Sequence, residues 1–286
     1  MTIGVIGGSG IYEALPLENT RTEEISTPYG EPSEAVTLGE LAGKEVAFLP
    51  RHGEDHQHAP TDASYRANIY ALKSVGVDRV IATNAVGSLR EDLPPRTLVV
   101  PDQIFDRTKH RTSSFFGDGM VVHMGFADPY CPEMVDHLAT AAEEVTEDTE
   151  TEKGGTYVCI EGPQYSTRAE SEFYRDQGWD IVGMTAIPEA KLAREAELSY
   201  ATVAGVTDYD VWKADNEVTL EEVLENAEAN QDAINEVVEH AIRTMPEDFE
   251  SDAWSALEGT INTPEAAIPE ETRERVDLLA GDYLDD

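Results

Sequence analysis

Short runs of apolar and β-branched residues recur along the chain, separated by stretches in which apolar positions return every three or four residues. The runs TIGVIG (2–7), EVAFLP (45–50), RVIATN (79–84), TLVVPDQI (97–104), TYVCIEG (156–162), DIVGMT (180–185) and YATVAGVT (200–207) predict buried strands. Helices are predicted over 61–76, which ends at Gly76, and over 132–147 and 188–198, which each begin with a proline as a first turn permits. Thr219 and Glu222 form a capping-box pair. From it Leu220, Val223, Leu224, Ala227, Ile234, Val237, Val238 and Ala241 continue at helical spacing. Strands alternating with helices imply an α/β domain around one mostly buried sheet. From 245 to 286 the chain turns acidic and proline-bearing, which predicts a peripheral extension with one short helix.

Charge narrows the partners. Acidic residues outnumber basic ones 58 to 20, a formal net charge of −38. No clustering of Lys and Arg suggests nucleic acid or an anionic membrane as a partner. With 40% hydrophobic residues and clear strand patterns, the chain does not read as a disordered acidic tract. It reads as a folded protein whose carboxylate-loaded surface suits concentrated salt, where self-repulsion is screened. Cys131 and Cys159, without CxxC spacing, suggest a reducing compartment and no disulfide framework. The opening MTIGVIGGSGIY has no basic leader, and no run reaches membrane-spanning length, so a cytoplasmic location is expected.

In α/β sheets, ligands gather beyond the carboxyl ends of strands. The first run ends in GGSG (7–10), where glycines let backbone amides approach an anion and Ser9 can add a hydroxyl. A dinucleotide fingerprint fails there because its third glycine is absent, and a plain tight turn remains an alternative. The second ends in PRHGEDHQH (50–58), where Arg51 and His52 suit an anion. His52, His56 and His58 also invite a metal reading, but no Cys joins them and no HExxH occurs. In TNAVGSLRE (83–91), Asn84, the Ala85 amide and Gly87 suit close approach to a ligand, as they would a structural turn. In EGPQYSTRAE (161–170), Tyr165 can stack on a flat ring and Ser166 can bond its edge, while Ser166 or Thr167, with Glu170, can cap a helix. In GMTAIPE (183–189), Met184 fits core or ligand, and Thr185 near a helix start suits phosphate. Finally VAGVTDYDVW (203–212) ends an apolar run in Asp208 and Asp210, which strand alternation would point the same way.

Taken in order, GGSG, RHG, TNAVGSLRE, EGPQYSTRAE, GMTAIPEAKLARE and VTDYDVW resemble the trimeric purine nucleoside phosphorylase family over about residues 2–240. The details are similar to its methylthioadenosine-cleaving branch, in a halophilic and archaeal setting. The resemblance implies a single α/β domain, residues 1–244, with a central mixed sheet flanked by helices. It implies phosphorolysis of S-methyl-5′-thioadenosine to adenine and 5-methylthioribose 1-phosphate. Inorganic phosphate would be the co-substrate, with no metal or organic cofactor. Ser9, Arg51, His52, Asn84, the Ala85 amide and Thr185 would hold phosphate, although Asn84 departs from the threonine common in the eukaryotic adenine-specific branch. Met184 would lie under the ribose, with Tyr165 and Ser166 near the base. Leu220 and Val223 would receive the 5′ methylthio group, and His123 would be lent by a neighbouring subunit of an obligate homo-oligomer, a trimer or a dimer of trimers.

The paired aspartates acquire roles in that setting. Phosphorolysis passes through an oxocarbenium-like state, and the departing purine accumulates negative charge. A carboxyl kept protonated by burial and by a second carboxylate can protonate N7. Asp208 fits the donor, and Asp210 can accept from the exocyclic 6-amino group. The 6-oxopurine branch carries asparagine in place of Asp208 and glutamate in place of Ser166, so both positions point to adenine. Phosphorolysis of methylthioinosine or 6-oxopurine nucleosides is the alternative.

Overall fold

The computed structural model describes residues 2–8, 15–146, 149–213 and 218–284. Among these residues eleven strands form one mixed sheet. In chain order they are β1 (Thr2–Gly7), β2 (Glu18–Glu23), β3 (Val36–Leu41), β4 (Lys44–Pro50), β5 (Val77–Ser88) and β6 (Leu98–Val100). They continue as β7 (Gln103–Asp106), β8 (Thr151–Lys153), β9 (Thr156–Cys159), β10 (Ile181–Gly183) and β11 (Ser199–Asp208). The helices are α1 (Tyr65–Ser74), α2 (Pro132–Val145), α3 (Arg168–Asp176), α4 (Ala186–Glu195), α5 (Leu220–Thr244) and α6 (Glu270–Ala280). The α/β class and mixed sheet are as expected.

The centre of the sheet is where apolar runs are longest. Every residue of β1 and of β11 is buried, so neither shows the alternation of a half-solvated strand. The predicted run 97–104 divides into β6 and β7 around Pro101 and Asp102, because a proline has no N–H for a ladder. β2 was not foreseen. Its sequence ENTRTE is almost wholly exposed and pairs only with β3, so it lacks an apolar face. α4 begins two residues ahead of Pro188, with a break at Ile187 (φ −112°, ψ 132°).

β5 organises the region that matters. One of its edges pairs with β11 from Arg79 to Gly87. The other pairs with β1 up to Ala82, and is taken over by β10 only at Gly87 and Ser88. Among the described residues, 83–86 therefore have no strand beside them on that edge, and a gap opens in the middle of the sheet.

The chain after α5 folds back onto the domain. Met245 and Phe249 join the main core, while Leu257, Ile268, Val276 and Ala280 build a smaller cluster with Met120. Buried Arg79 lies under the rings of Phe249 and Trp254, at 4.6 and 5.4 Å, and donates to the Pro246 carbonyl. A bridge between Val122 and Ile261 fastens the acidic segment to the 115–123 stretch.

Candidate active site

The gap beside β5 opens into a cavity of about 560 Å³. Its walls include Arg51, His52, Asn84, Ala85, Tyr165, Ser166, Met184, Thr185, Asp208, Asp210, Leu220 and Val223. The structure thus gathers into one space almost all the residues singled out from sequence. Of those assigned to phosphate or nucleoside, two are exceptions: Ser9 falls outside the described residues, and His123 is exposed and does not line the cavity of its own chain. The His123 amide donates instead to the Thr260 carbonyl.

At one end, polar side chains are held by other buried side chains. Arg51 is fully buried and forked onto Glu189, with Nε donating to Oε2 at 2.6 Å and Nη2 to Oε1 at 2.7 Å. Burial opposes its charge, but the Glu189 carboxylate more than compensates and keeps the guanidinium protonated. Its Nη1 donates to the Thr83 carbonyl beside Gly8, where a Cβ would come within 2.4 Å of that oxygen, so only glycine lets the strand end so close. His52 Nδ1 donates to the His58 carbonyl at 2.8 Å, which fixes the tautomer, since a carbonyl can only accept. Burial first, and the Arg51 charge second, push the imidazole down to about 3, so His52 is neutral and Nε2 carries its lone pair. His56 stacks on His52 at 4.5 Å, and His58 contributes its backbone oxygen to that histidine. Among the described residues no group of three His, Cys, Asp or Glu side chains is arranged to hold a metal. Asn84 Nδ2 donates to Thr185 Oγ1 at 2.6 Å, and its Oδ1 accepts from Thr202. With that lone pair occupied, the Thr185 hydroxyl is left to donate elsewhere.

At the base of the cavity sit the two aspartates, both buried. They converge by a different route from strand alternation. β11 stops at Asp208, and Asp210 reaches the cavity through a turn at φ 48°. Asp208 Oδ1 accepts the Asp210 amide at 2.7 Å, and Oδ2 accepts the Thr207 hydroxyl at 2.7 Å. Gly87 leaves room for this carboxylate, since a Cβ there would lie 2.8 Å from Oδ1. Burial raises the Asp208 carboxyl above the usual range, partly offset by those two donors. Burial likewise raises Asp210, the nearby Asp208 charge adds to it, and the Ser171 and Ser166 hydroxyls work against it. Even so Asp210 Oδ2, Ser166 Oγ and Ser171 Oγ are buried without a partner in good hydrogen-bond geometry. Such orphaned atoms suit a ligand that both accepts and donates.

The third part is apolar and open. Met184, Val223, Leu220 and Leu224 line the cavity, and Leu220 and Leu224 are 64% and 55% exposed at the start of α5. Tyr165 is 42% exposed at the rim, and Ser166 precedes the Thr167–Glu170 capping box of α3, so its position combines wall and helix entry.

A model of the phosphorylase superfamily matches residues 2–243. The chain belongs to that superfamily. It is 47% identical over 283 residues to the S-methyl-5′-thioadenosine phosphorylase of Koribacter versatilis, covering 99% of this chain and 96% of that one. Its fold is similar to a methylthioadenosine phosphorylase from an Antarctic soil metagenomic library, with a TM-score of 0.91 and 48% identity, over 97% of this chain and 98% of that one. The methylthioadenosine phosphorylase of Schistosoma mansoni in complex with adenine gives a TM-score of 0.81 at 36% identity, over 85% and 91%.

Sequence reading missed the supports beneath this phosphorylase site. Glu189 lies in a quoted motif but reads as an ordinary first-turn acid. Arg111 was also overlooked. It donates to the carbonyls of Glu161, Met184 and Ile187 and to the Glu161 carboxylate, tying together two walls of the cavity. The one local signal was the density of Arg107, Lys109 and Arg111 in a chain with 20 basic residues.

Proposed function

We propose that this phosphorylase converts S-methyl-5′-thioadenosine and inorganic phosphate to adenine and 5-methylthioribose 1-phosphate, as the names of its relatives say of them. The reading rests above all on two buried carboxyls with raised proton affinity lining the same cavity as Arg51, His52 and Thr185. Phosphate sits against Arg51, His52, Thr185, the Ala85 amide and the Asn84 end of the cavity, and Ser9 is assigned as a further hydroxyl donor to it. The ribose lies on Met184 and the base between Tyr165 and Ser166. As the C1′–N9 bond breaks and a phosphate oxygen bonds to C1′, Asp208 gives its proton to N7, and Asp210 accepts from the 6-amino group. The methylthio group meets Leu220 and Val223, and His123 of a neighbouring copy completes that wall in a homotrimer or dimer of trimers. Neither metal nor organic cofactor takes part. The excess of 58 acidic over 20 basic residues supports a working environment of concentrated salt, in the cytoplasm of a halophile.

A base-release assay in molar KCl tests this, with methylthioadenosine, methylthioinosine and inosine offered with and without phosphate. Adenine release that requires phosphate is expected. Preferential hypoxanthine release would leave the phosphate site intact and overturn the roles of Asp208, Asp210 and Ser166.

A further inference from the structure

The end of β11 contains a register break. Val206 pairs with Val86 and Asp208 with Gly87, so Thr207 is bulged between them. A bulged residue leaves the ladder, and a buried carbonyl there needs another donor. α5 supplies it: Asn226 Nδ2 donates to the Thr207 carbonyl at 2.8 Å, and Asn226 Oδ1 accepts from Arg96 Nε at 3.0 Å. Arg96 is itself fastened to the strand, its amide donating to the Val206 carbonyl at 2.8 Å. One turn further along α5, Asn230 Nδ2 also donates to Val206, at 3.0 Å. The next atoms outward are those of the site, because the Thr207 hydroxyl donates to Asp208 Oδ2. Val223 precedes Asn226 by three residues, and Leu220, Val223, Leu224 and Ala227 of the same helix line the cavity.

We infer that Asn226 is a positioning residue that links the apolar wall on α5 to the carboxyl of Asp208. Displacing the wall moves the Thr207 peptide, and with it the proton donor. An apolar 5′ group is therefore felt in the rate of base release as well as in binding. This rests on the phosphorolysis proposed above.

The test measures kcat and KM for methylthioadenosine and adenosine in the wild type, Asn226→Ala, Leu220→Ala and the double variant. Wild-type turnover is read first, and absence of phosphate-dependent adenine release there sinks the phosphorolysis itself. Given activity, Asn226→Ala is expected to lower kcat for methylthioadenosine on the order of 10- to 100-fold, as small misplacements of reacting groups do. The kcat preference for methylthioadenosine over adenosine should then shrink towards one. Leu220→Ala should lower kcat in the wild type but not further in Asn226→Ala, a non-additive cycle. Additive effects on kcat, or changes confined to KM or to melting temperature, overturn the inference while leaving the phosphorolysis standing. If Asn226→Ala does not fold, Asn226→Asp carries the same test, since a carboxylate still accepts from Arg96 but cannot donate to the Thr207 carbonyl.

Discussion

The two ends of the cavity are built in opposite ways. At the end proposed for phosphate, the polar side chains are answered by other protein groups: Arg51 by Glu189, His52 by His58, Asn84 by Thr185 and Thr202. At the other end Leu220 and Leu224 are more than half exposed and lie at the first turns of α5. A small anion gains affinity from donors fixed before it arrives. A thioether takes its affinity from apolar area, which a helix edge supplies. On the proposed function, the first end would hold its ligand with charge fixed in advance, and the second with apolar surface that is open in the single chain.

Breaking the rigid end should have the largest effect. Glu189→Ala strands the Arg51 guanidinium in the interior and removes the acceptor of the Tyr200 hydroxyl, 2.8 Å away. A loss of about 3–5 kcal/mol in unfolding free energy is expected, with loss of phosphate-dependent turnover. Denaturant melts in molar KCl measure the first; a cost below about 1 kcal/mol would show that the pair is not the support described.

A smaller effect probes the same helix at its far end. Glu195 of α4 is buried, accepts from Ser114 Oγ and the Phe115 amide, and is raised by burial to about 7 from 4.5. Because its proton is held more tightly in the folded state, its contribution to stability is fully present below about 4.5. It is lost as pH rises through about 7. Comparing wild type with Glu195→Gln at pH 5 and pH 8 should show the wild type losing on the order of 2–3 kcal/mol more over that interval. Parallel profiles would contradict the assignment.

The open end should yield the mildest change. Leu220→Ala is expected to leave unfolding free energy within about 0.5 kcal/mol, as exposed positions do. It should raise KM and lower kcat for methylthioadenosine a few-fold, while values for adenosine change less. A large stability loss would mean that Leu220 is core and not wall.

This asymmetry also governs how much was legible in the sequence. The ends of β1, β4 and β11 announce themselves, because apolar runs stop abruptly in Gly, Arg-His and Asp, and ligands gather at such ends in α/β sheets, whereas the run expected to stop at Asn84 continues as β5 to Ser88. The supports do not announce themselves. Arg51 and Glu189 are 138 positions apart, and Arg111 meets Met184 and Ile187 across 73 and 76, so no local pattern joins them. The turn that brings Asp210 beside Asp208 was hidden for a related reason: alternation assumes that a strand continues, and this one ends. β2 stayed invisible because an exposed edge strand needs no apolar face.

The central claim is that buried Asp208, its proton affinity raised by burial, delivers the proton to the leaving base. The most direct measurement is single-turnover adenine release by Asp208→Asn, with phosphate binding followed in parallel by calorimetry. Release should slow by about 10²- to 10⁴-fold while phosphate affinity and the melting temperature stay close to wild type. Release at the wild-type rate would contradict the account.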